Sequence, residues 1–498
     1  MHESNSAREP IGATGTFLLC ALLLVIAPLF KGGNRPLILM LLELIALVLA
    51  AVLFARPAFK AHLSTILLAA LLLLILYPLL YLIPLPNNWW GEIGGREYYV
   101  HLFEGFDFKE MDGMRPLSLI PFATEYAWLA LFPPVTIFLA VVGQRTSNLS
   151  MLITVFMGMV VFQALLGLIQ YGDGVDSFFR FGMSSDNSAN GTYPNRDHFA
   201  GLLEMALPIA LALLAATVGP LSKSVHHKRL DWRRRIIAFF RGRGNHVFVY
   251  AAITLVILLG LIFSRSRTGI VLGMLGIFLS ALIYARRLGG TNVFGLTGTL
   301  VAIGVALAAE IGLWPVLTRF TASNPADDLR WPIYDAVFPA IGSFFPLGSG
   351  AGTFPSVFKR FQTGELPAFI NHAHNDYLEW LMEGGVVVAV LLVLFTLLYI
   401  RQWFHIWIKG RWGNFRFAQA GAGVGLLLLA LHGLVDFNFH NPANAIYFAF
   451  LAGLFFHRQM IEPKPTASES MVSAEKPVVH LSKPREIPPE NLLNPFAD

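Results

Sequence analysis

The chain is poor in cysteine and in charged residues, and each shortage excludes a class of protein. Its one cysteine, Cys20, lies within an apolar run, which excludes a disulfide framework and a cysteine-based metal site. Only 13% of the 498 residues are charged, 55% are hydrophobic, and the mean hydropathy is +0.60. Soluble globular proteins do not have this composition. The sequence therefore predicts an all-α, polytopic membrane protein.

Apolar windows of about 20 residues indicate membrane-spanning helices, and by that measure the chain has about twelve spans. The first is too long for a signal peptide and has no small-residue cleavage site after it, so we expect it to stay as a helix. The predicted spans are residues 11–30, 36–55, 62–85, 125–142, 148–170, 198–218, 246–264, 269–285, 294–317, 385–404, 417–438 and 442–457.

Lysine and arginine predict the orientation of the spans, because these residues gather in cytoplasmic loops. The segment 219–245 holds the densest basic cluster, so we expect it to be cytoplasmic. Alternation from that segment places both termini inside and the segments 86–124, 171–197 and 318–384 outside. Membrane topology thus accounts for the net charge of +5, and we expect no nucleic-acid partner.

The chain divides into two unequal parts. Residues 1–461 are predicted to form one membrane domain, in which 318–384 is the main outer loop. Residues 462–498 are rich in proline, serine, glutamate and lysine, and they cannot bury enough apolar surface to fold. We expect a disordered cytoplasmic tail.

The outer loop contains the densest polar cluster of the chain. The ionisable residues of this cluster are His372, His374, Asp376, Glu379 and Glu383. Asn375 or Asp376 is expected to cap a helix, which places His374 at a helix N-terminus. The positive potential there favours a neutral imidazole that can act as a general base. Two alternatives stay open: His372 and His374 only bond backbone groups, or they bind zinc together with Asp376.

Arginines occupy other outer positions. Arg265 and Arg267 lie in the predicted turn between two spans, and Arg330 lies in a helix predicted over 327–344, before the glycine-rich turn 346–352. The planar guanidinium group donates two parallel hydrogen bonds to phosphate and stays charged. These arginines are therefore candidates for binding a phosphate-bearing substrate. The alternative is that they reach lipid headgroups.

Several short motifs follow one another between residues 190 and 445. They are Gly191–His198, Ser264–Gly269, Arg330, Pro346–Phe354, His374-Asn375 with Tyr377-Leu378 and Glu383-Gly384, and His432–Phe437. Together they resemble the O-antigen ligase and polymerase superfamily. The resemblance implies a membrane glycosyltransferase of the C class (GT-C), with about twelve helices and a periplasmic helical region, in the bacterial inner membrane.

The resemblance also implies a reaction. A glycan would pass with inversion from undecaprenyl diphosphate to an acceptor hydroxyl on lipid A core, another glycan or a protein, without a metal or a cofactor. His374 would be the base or acceptor orienter, and Arg267 and Arg330 would hold the diphosphate. The expected substrate-binding residues are Arg265, Arg196, His372, Asn375 and Tyr377. Many relatives have asparagine in place of Arg196.

The motifs do not separate the activities of this superfamily. We favour a ligase of lipopolysaccharide or exopolysaccharide biosynthesis over a polymerase or a protein-glycosylating enzyme. Outside the superfamily, a transporter of an anionic lipid or solute is the alternative. Its expected sign is broken helices with charges at mid-membrane, whereas the predicted spans are largely unbroken and the charges gather at the outer boundary.

Overall fold

The computed structural model describes most of the chain, and each structural statement below concerns the residues it describes. These are residues 11–55, 64–105, 113–182, 187–225, 244–288, 330–364, 366, 369–408 and 412–458, with four isolated residues between 289 and 329. Most of the predicted span 294–317, most of the basic segment 219–245 and all of the predicted tail 462–498 lie outside the described residues.

The described chain is almost entirely helical. In chain order its elements are α1 (Ile11–Leu29), α2 (Pro36–Phe54), α3 (Thr65–Leu80), β1 (Pro84–Pro86), α4 (Asn87–Glu92), α5 (Glu97–Gly105), β2 (Met114–Pro116), α6 (Pro121–Leu129), α7 (Phe132–Val142), α8 (Thr146–Asp173), α9 (Arg196–Val225), α10 (Gly244–Phe263), α11 (Arg267–Leu288), α12 (Arg330–Phe344), α13 (Phe354–Val357), α14 (Asp376–Ile408), α15 (Asn414–His432) and α16 (Pro442–Phe456). Strands β1 and β2 pair antiparallel, with Leu85 opposite Arg115.

Eight helical segments within the described residues are long and apolar enough to cross a membrane. They are Pro36–Phe54, Pro121–Val142, Thr146–Asp173, Arg196–Thr217, His246–Phe263, Arg267–Arg286, Asp376–Ile408 and Asn414–His432. Three shorter apolar helices are Thr14–Leu29, Thr65–Leu80 and Pro442–Phe456. The prediction of an all-α, multi-pass membrane protein is therefore confirmed.

Helix α9 forms the centre of the bundle, where it packs against α10, α11 and α15. Its apolar window is fully buried inside the protein. Glycines let α15 approach α9 closely: a Cβ atom at Gly421 would lie 2.7 Å from the carbonyl oxygen of Pro208, and one at Gly425 would lie 2.5 Å from that of Met205. Small residues at helix contacts are typical of membrane bundles.

Two of the predicted boundaries that bear on the site need correction. The predicted span 385–404 and the capped segment before it form one helix, α14, with a kink at Gly385 (φ 51°, ψ −134°). Helix α15 ends at His432 and not at residue 438. The chain turns there because the amides of Val435 and Asp436 both donate to the carbonyl oxygen of His432, at 3.0 and 3.1 Å. The apolar residues that follow therefore line a turn.

The elements between α3 and α6 support the glycine-rich turn 346–352. The Arg96 side chain is fully buried. Its guanidinium group donates to the carbonyl oxygen of Gly348 at 3.2 Å. The amide of Leu119 donates to the carbonyl oxygen of Ser349 at 2.9 Å. On its other side the turn meets α14, where the Gly350 amide donates to the carbonyl oxygen of Glu383 at 2.8 Å. The turn thus connects the outer elements to the start of α14.

Candidate functional site

Asn375, one of the two residues predicted to cap a helix here, caps helix α14. Its Oδ1 accepts hydrogen bonds from the amides of Tyr377 and Leu378, at 3.0 and 3.1 Å. Its Nδ2 donates to the carbonyl oxygen of Leu434 at 2.8 Å. Because the cap satisfies two of the free amides at the helix start, it fixes where the helix begins. His374 therefore stands directly before a helix N-terminus.

His374 has a backbone conformation that residues other than glycine rarely adopt, with φ of 51°. Such conformations are costly, and they are often found at functional sites. The surrounding structure holds this one in place, since the Tyr334 hydroxyl donates to the carbonyl oxygen of His374 at 2.8 Å. The side chain is 36% exposed and its Nδ1 lies 3.3 Å from Oδ1 of Asp436. Nδ1 is itself buried, so the exposure of the side chain comes from its other atoms.

Asp436 is the buried partner of His374, with only 1% of its surface exposed. Burial alone would raise the pKa of Asp436, but the imidazole of His374 and the nearby His198 and His432 outweigh burial and hold that pKa well below its usual value. The group is therefore a carboxylate at neutral pH. A carboxylate in this position orients an imidazole and stabilises its protonated form.

A second histidine–carboxylate cluster lies on the other side of the loop. Nδ1 of His372 lies 3.0 Å from Oε1 of Glu379, and Nε2 of His440 lies 3.1 Å from the same oxygen. Nδ1 of His440 lies 2.7 Å from Oδ1 of Asp376. Burial would lower the pKa of His440, but Glu379 and Asp376 outweigh it and hold the pKa well above its usual value. This network fixes both flanks of His374.

The zinc set considered from sequence, His372, His374 and Asp376, does not form. His374 faces Asp436, and Asp376 bonds His440. Among the described residues, two other groups bring three possible metal-ligand atoms within 4.8 Å of one another. They are His372 with Glu379 and His440, and Asp197 with His432 and Asp436.

Phe437 lies at the centre of the site and touches three imidazole rings. It stacks on His372 with ring centres 4.3 Å apart, and it meets His374 edge-on at 4.9 Å. His198, in the first turn of α9, packs on the same ring at 4.8 Å. The phenyl ring thus separates the two histidine–carboxylate groups and connects them to α9.

Three of the predicted arginines begin helices: Arg196 begins α9, Arg267 begins α11 and Arg330 begins α12. The first turns of α9 and α11 pack together, since a Cβ atom at Gly269 would lie only 2.5 Å from that of Ala200. The fourth arginine, Arg265, has φ of 59° and donates to the carbonyl oxygen of Asn187 at 3.1 Å. These contacts place the starts of α9 and α11 at the end of the bundle that holds Phe437.

Arg330 reaches the same region through α12. It lies one helical turn before Tyr334, whose hydroxyl group bonds the backbone of His374. The hydroxyl group of Tyr377, which is expected to bind substrate, donates to the carbonyl oxygen of Ala430 at 2.6 Å. The arginine-bearing helix starts and His374 therefore share one end of the molecule, while Tyr377 supports the packing of α14 on α15.

A comparison with protein families supports the resemblance. Residues 252–393 match the O-Antigen ligase family. The chain carries an O-antigen ligase domain. A search of curated proteins found no match. The O-antigen ligase domain includes Arg265, Arg267, Arg330 and the His374 loop, and its family implies an enzyme that transfers lipid-linked glycans.

Residues outside the matched segment also belong to the candidate site. Arg196 precedes it, and Asp436 and His440 follow it. The sequence motif His432–Phe437 contained Asp436, but nothing in its spacing indicated a partnership with His374. The pairing of His440 with Asp376 joins residues 64 positions apart, and only the folded chain brings them together.

Proposed function

We propose that this protein is an O-antigen ligase-type glycosyltransferase of the GT-C class with about twelve spans. It would transfer a glycan from undecaprenyl diphosphate to an acceptor hydroxyl, in lipopolysaccharide or exopolysaccharide biosynthesis. The observation that carries this proposal is the pairing of His374 with buried Asp436, next to helices that begin with arginine. That arrangement supplies a base and a site for an anionic leaving group.

In the proposed reaction, the exposed edge of His374 takes the proton of the acceptor hydroxyl. The acceptor oxygen attacks the anomeric carbon on the face opposite the diphosphate. A new carbon–oxygen bond forms as the bond to the diphosphate oxygen breaks, so the configuration inverts. Undecaprenyl diphosphate leaves with the bonding electrons, and the carboxylate of Asp436 stabilises the imidazolium that His374 has become.

The arginines would stabilise the leaving group. Arg267 and Arg330 are the proposed diphosphate ligands, and Arg196 and Arg265 add positive charge nearby. Three of these four residues begin helices, where free amide groups and the helix dipole also favour an anion. Charge that is already in place where negative charge develops lowers the barrier. The step as proposed therefore needs no metal ion.

His372, Asn375 and Tyr377 would affect substrate binding through the shape of the loop. Each already bonds a protein partner: Glu379, the amides of the α14 cap, and Ala430, respectively. We therefore assign them to holding His374 in its strained conformation. This assignment refines the direct substrate contacts expected from the resemblance.

The proposed topology puts the site at the periplasmic face and both termini in the cytoplasm. The site lies at the start of α9, and the other end of this 30-residue helix leads into the basic segment 219–245. A helix of that length spans about 45 Å, which is more than the bilayer core. Because the basic segment is expected inside, the start of α9 is expected outside.

The acceptor distinguishes the remaining possibilities within the class. A polymerase or a protein O-oligosaccharyltransferase would use the same base and the same arginines. A transporter would not change the covalent structure of the lipid-linked glycan. We therefore propose to incubate the purified protein with lipid-linked glycan as the donor and with one acceptor in each reaction. The acceptors are lipid A core, a second glycan repeat and a serine-containing protein.

Release of undecaprenyl diphosphate, with a matching mass increase in lipid A core, would support the ligase. A mass increase in one of the other acceptors would identify the polymerase or the protein-glycosylating enzyme instead. Unchanged donor with every acceptor would contradict the proposed function.

A further inference from the structure

We propose that His372, Glu379 and His440 form a binding site for one divalent transition-metal ion of the zinc type. The site lies beside the His374–Asp436 pair and is separate from it. It goes beyond the proposed function, because the ion would hold the loop and would take no part in glycan transfer.

Two of the three distances between the possible ligand atoms are already close to those of a metal site, and all three atoms lie within 4.8 Å of one another. Nδ1 of His372 and Nε2 of His440 lie 3.0 and 3.1 Å from Oε1 of Glu379. Bonds of about 2.0–2.2 Å in a tetrahedral zinc site place neighbouring ligand atoms roughly 3.3 Å apart. Along these two contacts, a metal ion would replace the shared protons after a shift of a few tenths of an ångström. Two imidazoles with one carboxylate favour zinc over magnesium or calcium.

The other polar atoms of two ligands are also held in place. Nδ1 of His440 bonds Asp376 at 2.7 Å, which directs Nε2 of the same ring toward the proposed ion. The backbone amide of Ala373 donates to Oε2 of Glu379 at 2.8 Å, which leaves Oε1 for the ion. Outer hydrogen bonds of this kind orient the ligands in natural zinc sites. His372 stacks on Phe437, which fixes the plane of its ring.

Charge and access also favour a cation. The carboxyl groups of Asp376 and Glu379 are almost fully buried, with side chains 0% and 2% exposed, and both converge on His440. A dication next to these two buried carboxyl groups would stabilise their negative charge. His372 and His440 are 26% and 22% exposed, which gives an ion a route into the site. It also leaves room for water as a fourth ligand.

The proposed ion would hold the His374 loop in place. His372 precedes His374, Glu379 lies in the first turn of α14, and His440 ends a short turn of 3-10 helix, Asn438–His440. One ion would therefore join three segments around the strained residue.

Zinc binding to the full-length, chelator-treated protein in detergent tests this proposal. A competition titration against a chromophoric chelator should give one zinc ion per chain. Asp376→Asn should weaken binding about 10–100-fold, as loss of an outer partner does, and His440→Ala should weaken it further. His405→Ala is the matched control, because His405 lies on the same helix, about 39 Å from Glu379.

Thermal unfolding shows whether each variant folds without metal. Zinc should raise the unfolding midpoint of the wild-type protein and of His405→Ala, and it should not raise that of His440→Ala. If His440→Ala does not fold, His372→Ala, with its partly exposed side chain, replaces it. X-ray absorption of the zinc complex should show nitrogen and oxygen ligands at about 2.0–2.2 Å.

Equal zinc affinity in the wild-type protein, His372→Ala and His440→Ala would overturn the proposal. The three side chains would then be a hydrogen-bonded network only. Because the readout is metal binding, this result would leave the proposed glycan transfer untouched.

Discussion

Nδ1 of His374 lies 3.3 Å from Oδ1 of Asp436, so the histidine singled out from sequence has a buried carboxylate as its partner. The two residues come from different parts of the chain, one before α14 and the other after α15. An imidazole that loses its partner keeps its place less well and is less stable when protonated. The predictions below begin from this pair.

His374→Ala is expected to abolish glycan transfer while donor binding survives, because a general base typically contributes about 100- to 10,000-fold. His372→Ala should be milder, since His372 bonds Glu379 and supports the loop. Transfer rates and donor affinity of the purified variants test both statements. If His374→Ala kept more than about a tenth of the activity, the residue would be an orienter and not the base.

Asp436→Asn should lower the rate of transfer by about 100-fold or more, with a smaller effect on donor affinity, because the amide cannot stabilise the imidazolium. The measurement is kcat and KM for the donor. Asp335→Asn serves as the control, because Asp335 lies next to Tyr334 on α12 and has no assigned role. A loss confined to KM would show that Asp436 shapes the donor site instead.

Arg267→Ala and Arg330→Ala should each remove about 2 to 4 kcal/mol of transition-state stabilisation. The rate of transfer should therefore fall by roughly 100-fold or more. Lysine at either position should rescue only partly, because a point charge lacks the two-pronged geometry. Arg286→Ala is the control at the other end of α11. Near wild-type transfer in the double alanine variant, correctly inserted, would contradict the phosphate role.

The stability of the protein should depend on pH through Asp436. The pKa of Asp436 is lower in the folded chain than the usual unfolded value of about 3.9. The carboxylate therefore makes its full contribution to the free energy of unfolding at pH values above the unfolded pKa. The contribution is lost as the pH falls through the lowered native pKa. The gap in unfolding midpoint between the wild-type protein and Asp436→Asn should stay constant from about pH 7 to pH 5 and narrow below about pH 4. A gap that widens on acidification would contradict a lowered pKa of Asp436 in the folded chain.

The topology can be tested by cysteine labelling in a Cys20→Ser background. A membrane-impermeant reagent added from outside should label Arg360→Cys, on the exposed surface near the glycine-rich turn. It should not label Arg235→Cys in the basic segment, which is expected inside. Labelling with the reverse pattern would contradict the periplasmic site.

The sequence predicted the local features of this fold better than its contacts. Span 36–55 agrees with α2 (Pro36–Phe54) because a continuous apolar run bounded by proline and a polar loop determines a membrane helix. A cap at Asn375 or Asp376 was predicted because capping depends on neighbouring residues. The carboxylate partner of His374 was not predicted, since hydrophobic periodicity carries no information about contacts between residues 62 positions apart. The end of α15 was missed because the apolar residues of the following turn continue the hydrophobic pattern of the helix.

The close contact of α9 with α15 has a consequence for motion. Gly421 and Gly425 bring the backbones of the two helices so close that neither helix can slide along the other without a clash. Interfaces packed this tightly change their arrangement in discrete steps and do not deform continuously. The arginine at the start of α9 and the carboxylate just after α15 should therefore move as one rigid unit. Any opening that admits a long lipid tail must then occur at other contacts, and the kink at Gly385 is where α14 can bend.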